Sequence, residues 1–476
     1  MKKLLLLSLA LITLFTGCTG SVASLPSNDQ ELINNIDIQE PSNSDFEAIT
    51  PMTLPSNTLY AANEDKLFFT DSNGKAAFSI VYPEKTIEII HDAAENLRVA
   101  LNKATGKSFK KHSDATANSD NAYEILIGNT NRAQSKHNLK EKEYSIKVDG
   151  NKIVIVGGSY YATAVAVKEF KELFSKNAPY IKKNLSYTSE ANDLYRVAVS
   201  NSGTGSIDIY EVTPFNTTPK LVKRFLDAGA TGINFRWTEK HGEVIVCATG
   251  TVVKVLNYNT GKVIWSKTGV ASGAHGAELL PNGVVAVASS SSDTISFYNM
   301  NGSSSKTVTL DDAHAVLWDP KYQVVWTLGY YEIRAYTVTL SSSGAITVKE
   351  DTDKRFSFKG TNTGGHDLAP VYYDKDKMWV SCFSKIYIYD KVNKKFSTVI
   401  EGDNGIVGYR RVKGLGNFPD GSMVTTYPDE AEDSLYTWTT EKINFYFKYE
   451  GKLYYTPLYT PNMHYYKARI VCTDYQ

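Results

Sequence analysis

Neither sign of charge is in excess: 51 basic and 51 acidic side chains leave a formal net charge of zero. A nucleic-acid binder normally carries a basic surplus, so no nucleic-acid partner is expected. Cysteine is scarce, with four in 476 residues and no CxxC pair, which argues against a disulfide scaffold or a zinc ribbon. The one long apolar run, Leu4 to Phe15, falls short of the ~20 residues that a permanent membrane-spanning helix needs. A dinucleotide signature is missing as well. Gly157-Gly158-Ser159 follows a strand-like run but lacks the spacing of GxGxxG, and it reads as a tight turn.

What is present points to β-structure. The chain is 42% hydrophobic, with 31 tyrosines and 32 glycines, and is long enough for two or three domains. Lys2 and Lys3 precede the apolar run, which ends Phe15-Thr16-Gly17-Cys18. Residues 1–17 read as a secretory signal peptide. The ending resembles the lipobox of bacterial lipoproteins, with Phe15 where leucine is usual. That resemblance implies lipidation of Cys18 and cleavage before it, hence a lipid-anchored protein of the cell envelope facing outside the cytoplasm. Residues 18–58 are rich in Ser, Asn, Pro and acids and read as a flexible tether. Cys247, Cys382 and Cys472 lie in apolar strand-like runs and are expected as buried free thiols.

Residues 59–190 read as a small α/β sandwich. AFSIVY (Ala77 to Tyr82), EILIG, YSIKV and KIVIVGG have strand character. Ile90, Ala94, Leu97, Leu101 and Ala104 fall at helical spacing before Gly106, and a second amphipathic stretch runs from Tyr161 to Phe174. IVYPEKTIEIIHDAAENLRVALNKATG, EILIGNTNRAQS and YSIKVDGNKIVIVGGSYYATAVAVKEF resemble the small non-catalytic domain ahead of α-glucuronidase and hexosaminidase barrels. The resemblance implies a polysaccharide setting.

Residues 191–476 carry a repeat. A strand ending in aromatics recurs as SIDIYEV, TVVKVLNY, TISFYNM, EIRAYTV, KIYIYDK and KINFYFK, each after a matching apolar strand. Four short strands per ~45 residues is the period of a propeller blade. Six copies predict an all-β six-bladed propeller. The first copy lacks an innermost strand and HYYKARIVC has no blade of its own, so the C-terminal strand is expected to complete the first blade.

The histidines follow this repeat. His275 (GAHGAELLPNG), His314 (DAHAVLWDP) and His366 (GGHDLAP) fall at the expected start of an innermost strand. Lys413 (VKGLGNFPDG) has the same register, His464 opens the terminal strand, and Asn234 or Arg236 of NFRW stands in the second blade. These side chains are expected to converge at one mouth of the central channel, with Arg410 and Arg411 close by, while Glu278 and Asp367 either orient the imidazoles or cap loops. The histidines are either structural, bonding loop carbonyls and trapped water, or part of a functional mouth, for which the set admits three chemistries. It suits a carboxylate or sulfate. Its imidazoles His275, His314, His366 and His464 are candidate ligands for a divalent metal as cofactor, against which Lys413 argues. It also holds a base and a cation for a polysaccharide lyase. Trp318, Tyr409, Tyr427 and Trp438 are candidate sugar-stacking faces, although most of the aromatics are expected to pack between blades.

AHGAELLPNG, AHAVLWDP, GGHDLAP and VKGLGNFPDG resemble an uncharacterised family of six-bladed propeller lipoproteins of anaerobic bacteria. HGAELLPNG also resembles a blade phrase of arylsulfotransferases, and the histidine-rich mouth is loosely similar to that of the oligogalacturonate lyase propeller. The tryptophan docking motif of quinone-dependent dehydrogenase propellers is missing, since six tryptophans occur at irregular places. The leading expectation is a surface lipoprotein that binds acidic carbohydrate at the His/Lys/Arg mouth. The alternatives are a polysaccharide lyase or hydrolase on the same ring, and a protein-interaction propeller.

Overall fold

The computed structural model describes residues 66–116, 122–174, 180–229, 231–359, 364–402, 405–428 and 438–475. The signal peptide, Cys18 and the tether lie outside the described residues. The chain divides into two compact units, with the boundary between Leu194 and Tyr195.

In the first unit six strands form a mixed sheet, and Lys66–Phe68 pairs with Tyr180–Lys182 in a separate ribbon. Two helices pack against each other and against this sheet. Helix α1 (Glu88–Thr105) buries Ile90, Ala94, Leu97 and Leu101 along one stripe and ends at Gly106, whose left-handed φ of 68° lets its N–H return to Asn102. Helix α2 (Tyr160–Glu172) starts at Ser159, whose hydroxyl accepts from the Ala162 N–H. The Gly157-Gly158 turn is sterically closed. A Cβ on Gly158 would stand 1.8 Å from the Lys140 carbonyl oxygen, so there is no room to cradle a phosphate.

The second unit is a six-bladed propeller. Each blade is an antiparallel sheet of four strands, with one extra short strand in the fourth blade. The innermost strands are Tyr465–Ile470, Gly232–Thr238, Ala274–Leu279, Ala315–Asp319, Gly365–Pro370 and Gly414–Asn417, for blades 1 to 6. Blade 1 is therefore built from both ends of the unit: Tyr465–Ile470 pairs antiparallel with Tyr195–Asn201, Arg469 opposite Ala198.

Alternation along each strand sends side chains to both faces, and each face packs on the next blade. Ile207, Ile209, Ile245 and Leu256 share one cluster between blades 1 and 2. Comparable clusters join each later pair, the last around Trp379, Val412 and Leu415 between blades 5 and 6. Between blades 6 and 1 the contact is aromatic, with Tyr195 5.0 Å from Phe445 and 4.8 Å from Phe418. Cys247 and Cys382 are buried free thiols in such clusters, while Cys472 lies past the last strand and is only partly buried.

Towards the axis the innermost strands nearly touch. A Cβ on Gly232 would lie 2.9 Å from the His275 carbonyl oxygen, one on Gly276 3.0 Å from that of His314, and one on Gly414 2.3 Å from the Ala468 nitrogen. Glycine is required there by the neighbouring strand. Gly414→Ala is expected to lower the unfolding free energy by about 1–3 kcal/mol, read from the denaturant midpoint, because the terminal strand must move aside.

Candidate functional site

A residue at the start of each innermost strand projects into one end of the channel, followed by a close-approach glycine in blades 2, 3 and 6 and by Ala315 and Asp367 in blades 4 and 5. In blades 3 to 6 that position holds His275, His314, His366 and Lys413. The structure brings these four together. The His275 and His314 rings lie 4.6 Å apart, those of His314 and His366 5.0 Å apart, and Lys413 Nζ is 3.1 Å from His366 Nε2.

The outward nitrogens fix the tautomers. His275 Nδ1 donates to the Gly273 carbonyl at 2.6 Å, and His314 Nδ1 donates to that of Asp312 at 2.9 Å. A carbonyl can only accept, so each Nδ1 carries the proton and each Nε2 presents a lone pair. His366 is arranged the other way round. Its Nε2 accepts from the Lys413 ammonium, and its buried Nδ1 has no hydrogen-bond partner among the described residues.

Burial holds all three imidazoles neutral, and the charges of Lys413 and Lys467 add to the effect. The His275 ring is lowered to about 4, and those of His314 and His366 fall well below the ordinary histidine range.

Beneath the ring lies a buried charged layer. Asp367 accepts from Arg469 through both carboxylate oxygens, from Lys467 Nζ at 3.1 Å and from the Leu415 N–H at 3.3 Å. Arg469 also reaches the Leu415 and Leu368 carbonyls and the Asn234 side chain, so one guanidinium from blade 1 touches blades 2, 5 and 6. Burial raises the Asp367 carboxyl, but Arg469 and Lys467 outweigh it and hold the group below the usual carboxylate range. Burial, aided by the neighbouring Arg469 charge, pulls the Lys467 ammonium down against the opposing effect of Asp367.

Several expected members stand elsewhere. Arg236 is not in the ring. It sits five residues beyond Thr231, which holds the equivalent position in blade 2 and bonds the Ala248 and Ala274 carbonyls. The Arg236 guanidinium pairs with Glu278, which also accepts from the Leu279 and Trp318 N–H groups. Glu278 thus fastens blades 2, 3 and 4 and orients no imidazole. Asp367 likewise serves the cations of the terminal strand. His464 lies against Gly203, its Cδ2 2.8 Å from where a Cβ would be, while Tyr466 takes the ring position with its centroid 5.9 Å from that of His275. His464 precedes the strand Tyr465–Ile470, whose second residue is Tyr466, as His275 and His366 are the second residues of theirs. Arg410 is exposed and Arg411 half-buried on the approach to Lys413. Trp318 is buried in the cluster between blades 3 and 4, which removes it as a stacking face. Tyr409 and Tyr427 stack on each other at 4.8 Å, both partly buried, and Trp438 is also partly buried.

Thr231, Tyr466, Lys467 and Arg469 were not singled out by the sequence reading. The signal for the first was the recurring dipeptide Thr231-Gly232, His275-Gly276 and Lys413-Gly414. The signal for Lys467 and Arg469 was a pair of cations inside an otherwise apolar strand. As for a metal, among the described residues no group of three or more His, Cys, Asp or Glu is placed to hold one. The lone pair of His366 Nε2 is directed to the Lys413 ammonium.

Most of this geometry, Thr231 and Arg469 excepted, lies within a single matched region. Residues 234–468 match the model of a family of unknown function, DUF6528. The DUF6528 match runs from the second blade into the closing strand and takes in His275, His314, His366, Asp367, Lys413 and Lys467. No curated protein matches the sequence. Among solved structures, the WD40 β-propeller domain of Doa1 is similar at 14% identity, covering 60% of this chain and 85% of that one, with a TM-score of 0.36. A putative 6-phosphogluconolactonase from Bacteroides uniformis is similar at 9% identity, covering 59% and 100%, with a TM-score of 0.42. A chain of a nidogen/laminin complex is similar at 12%, covering 58% and 98%, with a TM-score of 0.40.

Two expectations follow from this buried chemistry. Arg469→Met leaves Asp367 with Lys467 as its one cationic partner, and is expected to lower the unfolding free energy by about 3–5 kcal/mol, measured by urea titration. The second concerns pH. The unfolded His275 binds a proton near 6.5 and the folded one at about 4, so its contribution is complete above 6.5 and is lost as pH falls through this window. Asp312 and Glu243, raised by burial to about 6 and about 7, act in the opposite sense. The readout is therefore a difference: between pH 6.5 and 4, His275→Gln should lose less stability than the wild type.

Proposed function

We propose that the propeller binds an acidic carbohydrate at the histidine end of its channel, with a carboxylate or sulfate paired to Lys413. The observation that carries this reading is the meeting of the Lys413 ammonium with three neutral imidazoles. The Nε2 lone pairs of His275 and His314 accept hydrogen bonds, and sugar hydroxyls donate them. An anion with hydroxyls beside it satisfies both kinds of group. The cations beneath support the same sign: Lys467 and Arg469 share Asp367, which leaves a surplus of positive charge below the ring.

Binding fits these imidazoles better than proton abstraction. A general base works best with a pKa near the operating pH, whereas His275 is lowered to about 4. A lyase or hydrolase on the same ring is therefore the weaker reading.

The cellular setting belongs to the same proposal. The lipobox-like Phe15-Thr16-Gly17-Cys18 supports a lipid anchor at Cys18 that holds the chain in the cell envelope, facing outward. The resemblance of residues 59–190 to a domain that accompanies carbohydrate-active enzymes supports a polysaccharide setting.

Lys413→Met keeps the aliphatic stem and removes the ammonium. Its affinity for a uronate oligosaccharide, measured by calorimetry, is expected to fall by about 10- to 100-fold, the worth of a charged hydrogen bond. An affinity equal to the wild type's would overturn the reading.

A further inference from the structure

The ring residues His275, His314, His366 and Lys413 are only 5–9% exposed. At that exposure they can meet the acidic edge of one sugar, its carboxylate and neighbouring hydroxyls, and no further residue of the chain. The remainder of an acidic glycan must rest on what surrounds the opening.

There the loops of blades 4, 5 and 6 are tied by a relay of backbone hydrogen bonds. The Gly364 N–H donates to the Tyr330 carbonyl at 2.9 Å, the Phe383 N–H to that of Gly364 at 2.8 Å, and the Arg411 N–H to that of Phe383 at 2.9 Å. Gly364 lies two residues before His366, and Arg411 two before Lys413, so the relay borders the site already described. Gly364 has a φ of 69°, and a Cβ there would stand 3.2 Å from Phe383 Cβ and 3.8 Å from the Tyr330 ring. Lacking one, it lets Phe383 and the Tyr330 ring, itself packed edge-on to Tyr331 at 4.6 Å, both border the same point of the loop. Phe383 is nevertheless 51% exposed. A phenylalanine fixed by its backbone on both sides yet left half in water contributes little to the core. Arg410, next in line, is exposed.

We infer that Phe383 and Tyr330 form a stacking platform for the sugars that follow the acidic residue held by Lys413, with Arg410 positioned for a further acidic group. The ligand class is thereby narrowed to linear oligomers of acidic sugars. This inference rests on the binding reading above. Sugar rings present C–H faces that pack on aromatic faces, and a polyuronate repeats its charge at each residue. The platform and Arg410 supply both complements beside the Lys413 pocket.

The test measures affinities for galacturonic acid and for its linear hexamer, by calorimetry, in the wild type, Phe383→Ala, Phe383→Trp and Lys413→Met. The hexamer-to-monomer affinity ratio is expected to fall about tenfold in Phe383→Ala and to be retained in Phe383→Trp, which keeps an aromatic face. An unchanged ratio in Phe383→Ala overturns the platform. If Lys413→Met still loses binding in that case, the channel site stands without it. If Lys413→Met binds both ligands as the wild type does, the channel site falls and the platform with it.

Discussion

The ring is closed chemically at Asp367. This carboxylate belongs to blade 5, but both cations that neutralise it, Lys467 and Arg469, come from the last strand of the chain, which completes blade 1. All three side chains are almost wholly buried. Taking a carboxylate out of water without partners costs several kcal/mol, so the node is favourable only when the terminal strand is in place. Hydrogen bonding of the strand to Tyr195–Asn201 supplies the backbone half of the closure. The Asp367 node supplies the side-chain half, and it extends through Arg469 to blades 2 and 6.

The electrostatics of the channel end follow from this node. Two cations on one carboxylate leave net positive charge directly below the imidazoles, and Lys413 adds another beside them. A further proton on any histidine would meet desolvation and repulsion together, which is why all three rings are depressed in the same direction. The end of the channel is thus positive because of its lysines and arginine, and its histidines serve as acceptors. A ring of protonated histidines would have been a different site, one that released its anion as pH rose.

The propeller was legible because its signal is repeated six times. One ambiguous strand means little, but SIDIYEV, TISFYNM, KIYIYDK and their counterparts enforce a common register. The register also placed His275, His314, His366 and Lys413 correctly relative to one another, since each begins an innermost strand at the same height. It failed where a strand departs from the repeat. Arg236 was chosen for its charge, yet the blade's true equivalent is Thr231, one residue before the close-approach glycine. His464 stands before the terminal strand, and the axial position falls to Tyr466, the second residue of that strand as His275 and His366 are of theirs. Trp318 looked available because sequence does not show which face of an innermost strand meets the next blade. Nor could pairing across blades be read, and so Glu278 and Asp367 were assigned to imidazoles when their partners were Arg236 and Arg469, the latter about a hundred residues away along the chain.

The glycines explain why the histidines touch at all. Blade number sets the circumference of the axial strands, and the side chain after each ring residue sets how far those strands stand apart. At Gly232, Gly276 and Gly414 that side chain is absent, and the neighbouring backbone occupies its space. Around His275 the strands close in on both sides, Gly232 against its carbonyl and Gly276 against that of His314, and the His275 and His314 rings come to 4.6 Å. That closeness reduces their exposure and so helps to neutralise them. One steric choice, made in blades 2, 3 and 6, therefore bears on both the packing and the proton state of the imidazoles.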